Sequence, residues 1–387
     1  MDVWELNLRH LRAVLKIAEL GTVSAATSAV NLSQPAITQA LARLESVLQV
    51  TLFERRHDGM VPTDAGQILK ARIEAALEHV RSPHVTMSRL RALLALADSG
   101  SYAGASQETG LSLPSIHRAV NDLALALRRP LVVRRGKYVV MTETGAQFAR
   151  EFRLAVVELE AGLSEIEALR GHETRRIAIG AMPLSRARIL PLAVARFHAR
   201  RPKVRLTIVE GSRAELVEPL RNGTLDVIVG ALRSPLIETD LEQKSLFEDV
   251  PSFLARRGHP LTGTTPDATA LARYPFCLPP RGPLRDSFNR FFEEHGQNPQ
   301  VPLESGSVMM IRQVMMESDF LTLLSRDQVQ IELEAGWLNE LVPLPAEFRR
   351  VIGMTTRHSL RPTAVQEEFF ADLAAAAHEI ESPVGAR

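Results

Sequence analysis

The chain has 387 residues, enough for two or three domains at the usual size of roughly 100 to 200 residues each. Its 45% hydrophobic and 24% charged residues are typical of a globular protein in water, and no apolar run is long enough to span a membrane. The first residues lack the basic and apolar regions of a secretion signal, so we expect a cytoplasmic protein. The single cysteine, Cys277, excludes an internal disulfide and a thiolate zinc site, and buried filler is its expected role.

Residues 24–50 carry the pattern of a helix-turn-helix. Small residues such as Ala25 allow two helices to lie close together, Asn31 is a turn residue, and Ser33 is a favourable N-cap with Pro35 in the first turn of the next helix. The buried side of that second helix is predicted from helical spacing to consist of Ile37, Leu41, Leu44 and Leu48. An alanine-rich α-hairpin of another kind would share these features, so the segments that follow decide between the two interpretations.

A wing follows the helix-turn-helix. Residues 52–63 read as a strand, a turn and a second strand, and a new helix begins near Thr63. The order of helix, helix-turn-helix, wing and helix over residues 8–80 resembles the DNA-binding domain of the LysR-type transcriptional regulators. The resemblance rests on the Ser-Gln-Pro-Ala run at 33–36, on Leu44 and Glu45, and on the Phe-x-Arg-Arg run at 53–56. It implies contacts with double-stranded DNA through Ser33, Gln34, Pro35, Ala36, Thr38, Gln39, Arg43, Arg55 and Arg56.

The whole pattern recurs 79 residues later. The offset carries cap, turn and wing residues onto like residues: Gly21 onto Gly100, Ser33 onto Ser112, Pro35 onto Pro114, Arg55 onto Arg134 and Arg56 onto Arg135. Hydrophobic spacing alone can repeat by chance, but caps, glycines and a wing arginine pair do not repeat together by chance. A second winged helix-turn-helix is therefore predicted in residues 81–146.

The second copy has a different surface. Leu113 replaces Gln34, Arg118 replaces Gln39, and Ala124 replaces Glu45. Residues 81–150 hold 10 Lys and Arg against 4 Asp and Glu, although the formal net charge of the chain is only +1. The copy is either a second DNA reader or a degenerate copy kept for dimerisation or for general attraction of phosphates. We favour DNA contact, because arginine both attracts phosphates and recognises guanine. The predicted contacts are Ser112, Ser115, His117, Arg118, Arg134, Arg135 and Lys137.

A helix is predicted after each wing. The first covers residues 68–80, and the second forms a linker helix at 147–171. Apolar residues near heptad spacing define a seam on the linker, formed by Phe148, Phe152, Ala155, Leu159, Ile166 and Leu169, with Glu158, Glu160, Glu165 and Glu167 placed off it. The seam either pairs subunits, as a homodimer or homotetramer, or packs on the chain's own domain. We favour subunit pairing.

From Arg176 the chain alternates between strands and helices, which predicts a parallel sheet with covering helices. Strands are predicted at 177–180, 204–209, 225–229, 276–278, 321–324 and 351–354, and helices at 189–200, 214–221, 284–294, 328–335 and 362–380. The order resembles the effector domain of the same regulators, two α/β lobes similar to a periplasmic solute-binding protein. The predicted fold is multidomain: α-rich winged domains at 1–80 and 81–146, the linker helix, and an effector domain at 172–387, with lobe 1 at about 172–245 and 345–387 and lobe 2 at about 246–344.

Ligands of open α/β sheets bind beyond the carboxyl ends of strands. Three predicted strand ends would meet at one cleft, and the resemblance places hydroxyl groups at position 184, where this chain has a leucine beside Ser185, and at Ser212. The predicted effector-binding residues are Met182, Pro183, Leu184, Ser185, Arg186, Ser212, Gly230, Pro279 and Arg281. Serine hydroxyls and arginines suit a small carboxylate or a polyol, such as an aromatic acid or a sugar-related metabolite. Taken singly, each arginine is better explained as a solvated surface charge.

The sequence contains no nucleophile elbow, P-loop, dinucleotide fingerprint or histidine pair at metal-ligand spacing. We therefore predict a transcriptional regulator that binds DNA and a small effector, with no enzymatic activity, cofactor, metal or membrane contact, and with RNA polymerase as a candidate partner. The alternative is an architectural DNA-binding protein without an effector, which would bind with little sequence preference. An enzyme that uses the two-lobed domain is less favoured.

Overall fold

A computed structural model describes residues 2–57, 59–135, 138–171 and 176–381. The chain divides into two compact units, Met1–Arg175 and Arg176–Arg387, here called the N-terminal and C-terminal units. The two predicted winged domains and the predicted linker helix all fall within the N-terminal unit. Lys137, predicted to contact DNA, lies outside the described residues.

The N-terminal unit contains two copies of one arrangement. In each copy a helix and a helix-turn-helix are followed by a wing and a further helix. Copy 1 consists of α1 Leu8–Leu20, α2 Val23–Val30, α3 Gln34–Leu48, β1 Phe53–Arg56, β2 Gly59–Pro62 and α4 Asp64–Val80. Copy 2 consists of α5 Met87–Ser99, α6 Tyr102–Thr109, α7 Leu113–Leu127, β3 Val132–Arg135, β4 Tyr138–Met141 and α8 Glu143–Leu169. A short 3-10 helix at Val3–Glu5 precedes α1. The predicted tandem arrangement is confirmed. Helix α4 begins at Asp64, beside the predicted start near Thr63, and α8 begins at Glu143, before the predicted linker helix at 147–171.

The first three helices of the two copies begin and end on equivalent residues, while α8 begins at the equivalent of α4 and continues further, to Leu169. The Ser33 hydroxyl accepts a hydrogen bond from the backbone N–H three residues further on, and the Ser112 hydroxyl does the same at the start of α7. Helices α1 and α5 end at Gly21 and Gly100, whose φ angles of 73° and 67° lie in the left-handed region that favours glycine. Because these caps are local sequence signals, the ends of α3 and α7 are predictable from sequence. These two helices, the second of each helix-turn-helix, are here called the recognition helices.

A glycine lets each post-wing helix start against its wing. A Cβ atom on Gly66 would lie 2.1 Å from the carbonyl oxygen of Leu52, and a Cβ atom on Gly145 would lie 1.9 Å from that of Leu131. No side chain fits at such a distance from a backbone atom. The close approach fixes α4 and α8 to the wings of their own copies.

Helices α4 and α8 pack along one another, and one apolar core runs through both copies. Phe152, Leu159 and Ile166 of α8 are buried in this core together with Leu69 and Ile73 of α4. Most of the seam of the linker helix is therefore covered by the same chain, and Leu169 at its end is exposed. Our preference for subunit pairing through this seam is wrong, because its apolar side already faces α4.

The C-terminal unit alternates between helices and strands. Its elements are β5 Arg176–Ala181, α9 Ile189–Arg200, β6 Arg205–Glu210, α10 Arg213–Arg221, β7 Val227–Ala231, β8 Leu241–Asp249, β9 Ser252–Arg256, α11 Ala268–Leu271, β10 Cys277–Leu278, α12 Pro283–Glu294, β11 Leu303–Glu304, α13 Val308–Met316, β12 Thr322–Leu324, α14 Gln330–Glu334, β13 Leu338–Pro343, β14 Arg350–Arg357 and α15 Ala364–Glu381. Short 3-10 helices lie at Pro183–Arg186, Arg326–Gln328 and Ala346–Phe348.

The largest sheet is only partly parallel. Its strand order is β6-β5-β7-β14-β8; β5 runs parallel to both β6 and β7, whereas β14 runs antiparallel to β7 and β8. The predicted parallel sheet is thus correct for three strands. Strand β8 was not predicted because it is a largely polar edge strand. Its sequence is Leu-Glu-Gln-Lys-Ser-Leu-Phe-Glu-Asp.

The predicted two lobes are present. Lobe 2 contains an antiparallel sheet of order β12-β9-β13 and the parallel pair β10-β11. Its apolar core is separate from the cores of lobe 1 and includes Phe253, Phe276 and Phe292. Cys277 is fully buried in this core, and burial raises the pKa of its thiol to about 11. The thiol is therefore a packing group, as predicted.

Among the described residues, no helix combines the length and the apolar character needed to cross a membrane.

Candidate DNA interface and effector cleft

The polar side of α3 faces solvent. Gln34, Thr38, Gln39 and Arg43 are exposed, while the opposite side of the helix, including Ile37, is buried. The remaining predicted contacts of copy 1 lie around this face: Ser33 and Pro35 are exposed at its start, Ala36 is half-buried, and Arg55 and Arg56 are exposed on β1. A helix in the major groove needs such a row of donors and acceptors on one side and an anchor to its own domain on the other.

Positive charge surrounds the start of α1 beside this face. Burial lowers the pKa of His10, and the nearby guanidinium groups of Arg43 and Arg9 lower it further. His10 and Arg43 line a cavity of about 490 Å³ between α1 and α3. The Arg43 and Arg9 guanidinium groups near His10 are positive charges of the kind that attract phosphate groups.

The recognition helix of copy 1 is tied to its wing. The Glu45 carboxylate accepts hydrogen bonds from the backbone N–H groups of Leu52, at 2.7 Å, and of Phe53, at 3.4 Å. In copy 2 the equivalent residue is Ala124, which has no side-chain acceptor. The two copies thus hold their wings differently although their folds are the same.

The exposed face of copy 2 has different side chains from the exposed face of copy 1. Ser112, Ser115 and Arg118 are exposed on or next to α7, and Arg134 and Arg135 are exposed on β3. In addition, the apolar side chain of Leu113 is exposed where copy 1 has Gln34. The copies therefore present unlike side chains at equivalent positions.

His117 is less available than predicted. Its ring is half-buried and stacks on Tyr102, with 3.6 Å between ring centroids. Both rings line a groove of about 360 Å³, together with Arg134 and Tyr138 of the wing. The groove lies between the recognition helix and the wing, so an edge of His117 still borders the predicted interface.

Two groups of charges join α4 to α8. Arg72 donates to Glu158 at 2.8 Å and donates twice to Glu165, at 2.8 and 2.9 Å. His79 and Glu151 are 2.8 Å apart further along the helices. The Arg72 and Glu158 side chains are only 7% and 9% exposed. Burial acts to lower the pKa of Arg72, but the hydrogen bonds to Glu165 and Glu158 more than offset it, so the guanidinium stays charged.

These pairs correct the sequence interpretation, which placed Glu158 and Glu165 away from the helix seam. Both carboxylates lie at the α4–α8 contact. The signal that could have revealed them is the repeat itself, because the offset of 79 places Glu151 at the position of Arg72 and Glu158 at the position of His79.

In the C-terminal unit, Ser212 and Arg281 are predicted effector residues that belong to different lobes. Ser212 begins α10, where its backbone N–H and its hydroxyl both donate to the Glu215 carboxylate, at 2.8 and 2.7 Å. These hydrogen bonds hold the pKa of Glu215 below its usual range, and the positive charge of Arg281 from lobe 2 lowers it further. Arg281 of lobe 2 is therefore near enough to the start of α10 for its charge to act on Glu215. Pro279 is half-exposed in the same loop as Arg281.

The loop after β5 offers fewer groups than predicted. Ser185 is fully buried, and its hydroxyl donates to the carbonyl oxygen of Met182 at 2.8 Å. This internal bond counts against Ser185 as an effector ligand. Leu184 is also buried, whereas Pro183 is exposed.

Arg186 is held within lobe 1. It donates to the carbonyl oxygen of Ala181 at 3.2 Å and to the Glu210 carboxylate at 2.8 Å. Gly230 lies against the side chain of Met182, since a Cβ atom at this glycine would approach the Met182 sulfur to 2.6 Å. Met182 and Gly230 are therefore in contact, and Arg186 is an ion-paired side chain at the edge of this group.

An ion pair joins the two lobes. Arg188 of lobe 1 donates to the Asp327 carboxylate of lobe 2 at 3.0 Å. Burial raises the pKa of Asp327, and the Arg188 charge opposes this shift. The pair lines a cavity of about 770 Å³ that the sequence did not indicate, together with Asp249 and Val250 at the end of β8. A change in the orientation of the lobes would alter the contacts at this junction.

Comparison with known proteins agrees with this architecture. The protein-family model described as "Bacterial regulatory helix-turn-helix protein, lysR family" matches residues 8–67 and again 87–146. The model described as "LysR substrate binding domain" matches residues 170–377, which is more than half of the chain. The fold and its exposed recognition helices define a DNA-binding transcriptional regulator rather than an enzyme. The chain belongs to the LysR family of bacterial regulators.

Two relatives differ in how much of the chain they match. The HTH-type transcriptional regulator GalR of Pseudomonas putida is 33% identical over an alignment of 372 positions that covers 92% of this chain and 94% of the relative. The RuBisCO operon transcriptional regulator of Acidithiobacillus ferrooxidans is 27% identical over an alignment of 294 positions that covers 74% of this chain and 94% of the relative. The part of this chain outside the first alignment is shorter than one winged copy, so that alignment runs through both copies.

Two solved structures share the fold. A full-length OxyR from Pseudomonas aeruginosa has a TM-score of 0.55 at 22% identity and covers 76% of this chain and 95% of its own. Full-length CbnR in complex with its target DNA has a TM-score of 0.52 at 17% identity and covers 74% of this chain and 98% of its own. At these identities the likeness concerns the fold alone.

Proposed function

We propose that copy 1 binds a specific operator sequence by placing the exposed face of α3 in the major groove. The observation that carries this proposal is the position of Gln34, Thr38 and Gln39, three exposed polar side chains on a helix whose other side is anchored in the core. Amide and hydroxyl groups at such positions can bond the base edges that distinguish one pair from another. Arg43 and the wing arginines then fix the register by contacting phosphates.

Copy 2 also contacts DNA in this proposal. Arg118 occupies the position of Gln39, and Arg134 and Arg135 occupy those of the copy 1 wing arginines. All three are exposed, and an exposed arginine on a recognition helix suits bidentate contact with guanine. A copy that served only to support the fold would not need these side chains on its outer face.

The C-terminal unit is proposed to bind a small effector between its lobes. Ser212 at the start of α10 lies on one side and Arg281 on the other. A ligand there would replace the Glu215 carboxylate as the acceptor of the Ser212 hydroxyl and backbone N–H, and Arg281 would add a positive charge, which suits a small carboxylate or a polyol. A ligand that contacts both lobes stabilises one lobe arrangement by its differential affinity and so changes the DNA-bound assembly. This regulator is proposed to act in the cytoplasm as a homodimer or homotetramer, with RNA polymerase as a further partner.

The DNA proposal is tested by binding of the full chain to DNA sites selected from a random pool. Changing Gln34, Thr38 and Gln39 together to Ala is expected to abolish the selected base preference while the protein remains folded. Gln300→Ala, an exposed glutamine in the C-terminal unit, is the matched control and should leave the preference unchanged. An unchanged preference in the triple variant contradicts sequence-specific reading by α3, and weak binding with no preference in the wild type supports an architectural role.

The effector proposal is tested by thermal shift of the full chain with a panel of small carboxylates and polyols. A ligand that raises the melting temperature of the wild type is expected to do so less in Ser212→Ala. Ser359→Ala removes an exposed hydroxyl elsewhere and should keep the full shift. Equal shifts in the wild type and both variants would contradict the assignment of Ser212.

A further inference from the structure

The charged pairs between α4 and α8 are related by the internal repeat. The offset of 79 makes Arg72 of copy 1 equivalent to Glu151 of copy 2, and it makes His79 equivalent to Glu158. In the structure Arg72 contacts Glu158, while Glu151 contacts His79. Each of these four positions therefore contacts the partner position of the other copy, which is the reciprocity expected of an interface with two-fold symmetry. The additional Arg72–Glu165 contact lies outside this relation, because the equivalent of Glu165 is Thr86 at the start of α5.

Contacts at the start of the two copies follow the same rule. Arg12 of copy 1 donates to the backbone carbonyl oxygen of Ser82 at 2.7 Å and to that of Pro83 at 3.5 Å. Its equivalent, Arg91, lies over the ring of Trp4 at 5.5 Å. Since Trp4 is the equivalent of Pro83, the second contact is the symmetric counterpart of the first. The two copies thus form a dimer-like pair within one chain.

The pairing is symmetric in position but not in charge. If two copies of type 1 paired in this way, Arg72 would face His79, and no carboxylate would oppose it. If two copies of type 2 paired, Glu151 would face Glu158. A buried charge that loses its partner is strongly destabilising, and Arg72 and Glu158 are both buried. The charges therefore favour a pair of unlike copies over either pair of like copies.

We propose that this charge complementarity makes copy 1 pair only with copy 2, so that each chain carries a complete two-headed reader for an operator with two unlike half-sites. The inference that the operator is asymmetric rests on the proposed function of both copies in DNA binding. Its physical basis is that one interface fixes both recognition helices, while their exposed faces differ at equivalent positions, with Gln39 on α3 and Arg118 on α7. The partner that fits the α4 surface is thus the α8 surface.

The pairing itself is tested without DNA, by thermal unfolding of the full chain carrying charge reversals. Arg72→Glu places three carboxylates together and is expected to lower the melting temperature, and so is Glu158→Arg. The double variant restores opposite charges and should melt above the Arg72→Glu single variant. A double variant that shows only the summed losses of the two single variants would overturn the proposed complementarity.

A second pair of variants keeps the pairing testable if the buried reversal prevents folding. Glu151→Arg places a cation against the more exposed His79, and His79→Glu with Glu151→Arg restores opposite charges. The proposal requires the double variant to melt above Glu151→Arg alone. Equal melting temperatures would show that charge at these positions does not select the partner copy.

The asymmetric operator is tested by assigning bases to heads. In DNA selection with the full chain, Gln39→Ala is expected to relax base preference in one half-site and Arg118→Ala in the other. Relaxation of the same bases by both variants would overturn the two-half-site arrangement. If the wild type selects no sequence at all, the proposed DNA function fails, whereas the melting experiments still decide whether the copies are matched by charge.

Discussion

The Glu45 carboxylate on α3 accepts a hydrogen bond from the backbone N–H of Leu52 at the foot of the wing, 2.7 Å away. This contact couples the recognition helix to the wing in copy 1. Copy 2 has Ala124 at the equivalent position, so its wing is held by the other shared contacts, such as the Thr142 hydroxyl on the carbonyl oxygen of Pro130. The difference leads directly to a test of how each wing is held.

Glu45→Ala is expected to destabilise the N-terminal unit by about 1.5 to 3 kcal/mol, the usual range for a hydrogen bond to a charged group. Urea unfolding of the full chain measures this loss. Glu45→Gln keeps an acceptor oxygen and should recover part of it, while Glu54→Ala removes an exposed carboxylate on β1 and should have a small effect. If Glu45→Ala and Glu54→Ala cost the same, the helix-to-wing contact adds no stability.

Gly66→Ala and Gly145→Ala are both expected to destabilise the chain by at least about 1 to 3 kcal/mol, the common cost of overpacking. The added methyl group would lie against a backbone carbonyl that cannot move without shifting the wing. Calorimetry of the full chain measures the loss. Gly306→Ala is the control, because nothing lies within 4 Å of a Cβ atom there. Variants with unchanged stability would mean that the helix and wing separate easily at these points.

Changing Arg134 and Arg135 to Ala is expected to weaken DNA binding and to reduce its salt dependence. Each lost phosphate contact lowers the slope of log affinity against log salt by about 0.9. The measurement is fluorescence anisotropy of a labelled operator at several salt concentrations. Arg273→Ala removes an exposed arginine of the C-terminal unit as a control. An unchanged slope in the double variant would show that the wing of copy 2 does not touch DNA.

The Ser212–Glu215 cap predicts a pH dependence with a defined sign. Because the folded pKa of Glu215 lies below the ordinary value of 4.5, the stability from this carboxylate is fully present above that value. It is lost as the pH falls through the lowered folded pKa. The melting temperature of wild type should exceed that of Glu215→Gln at neutral pH, and the difference should shrink in acid. A difference that grew on acidification would contradict the assignment.

The two recognition helices were predictable because their signals are local. Ser33 caps α3, and Pro35 and the aliphatic positions lie within the 15 residues of that helix, and the repeat made the second copy visible. The Arg72–Glu158 contact joins residues 86 positions apart. The pattern of α8 alone predicted Glu158 off the apolar seam, whereas this side chain lies at the contact with α4. The hydroxyl of Ser185 was misjudged for another reason, since a backbone carbonyl three residues before it accepts its hydrogen bond and turns it away from the cleft.

Placing α4 and α8 in one polypeptide also changes how the reader responds to dilution. The heads meet at an effective concentration set by the chain that connects them, whatever the number of molecules in the cell. A reader assembled from two separate chains falls apart when it is scarce, and its occupancy of DNA then follows the square of its abundance. Within one chain the pairing of the two heads is independent of abundance, and only the further assembly of chains into the proposed homodimer or homotetramer depends on it.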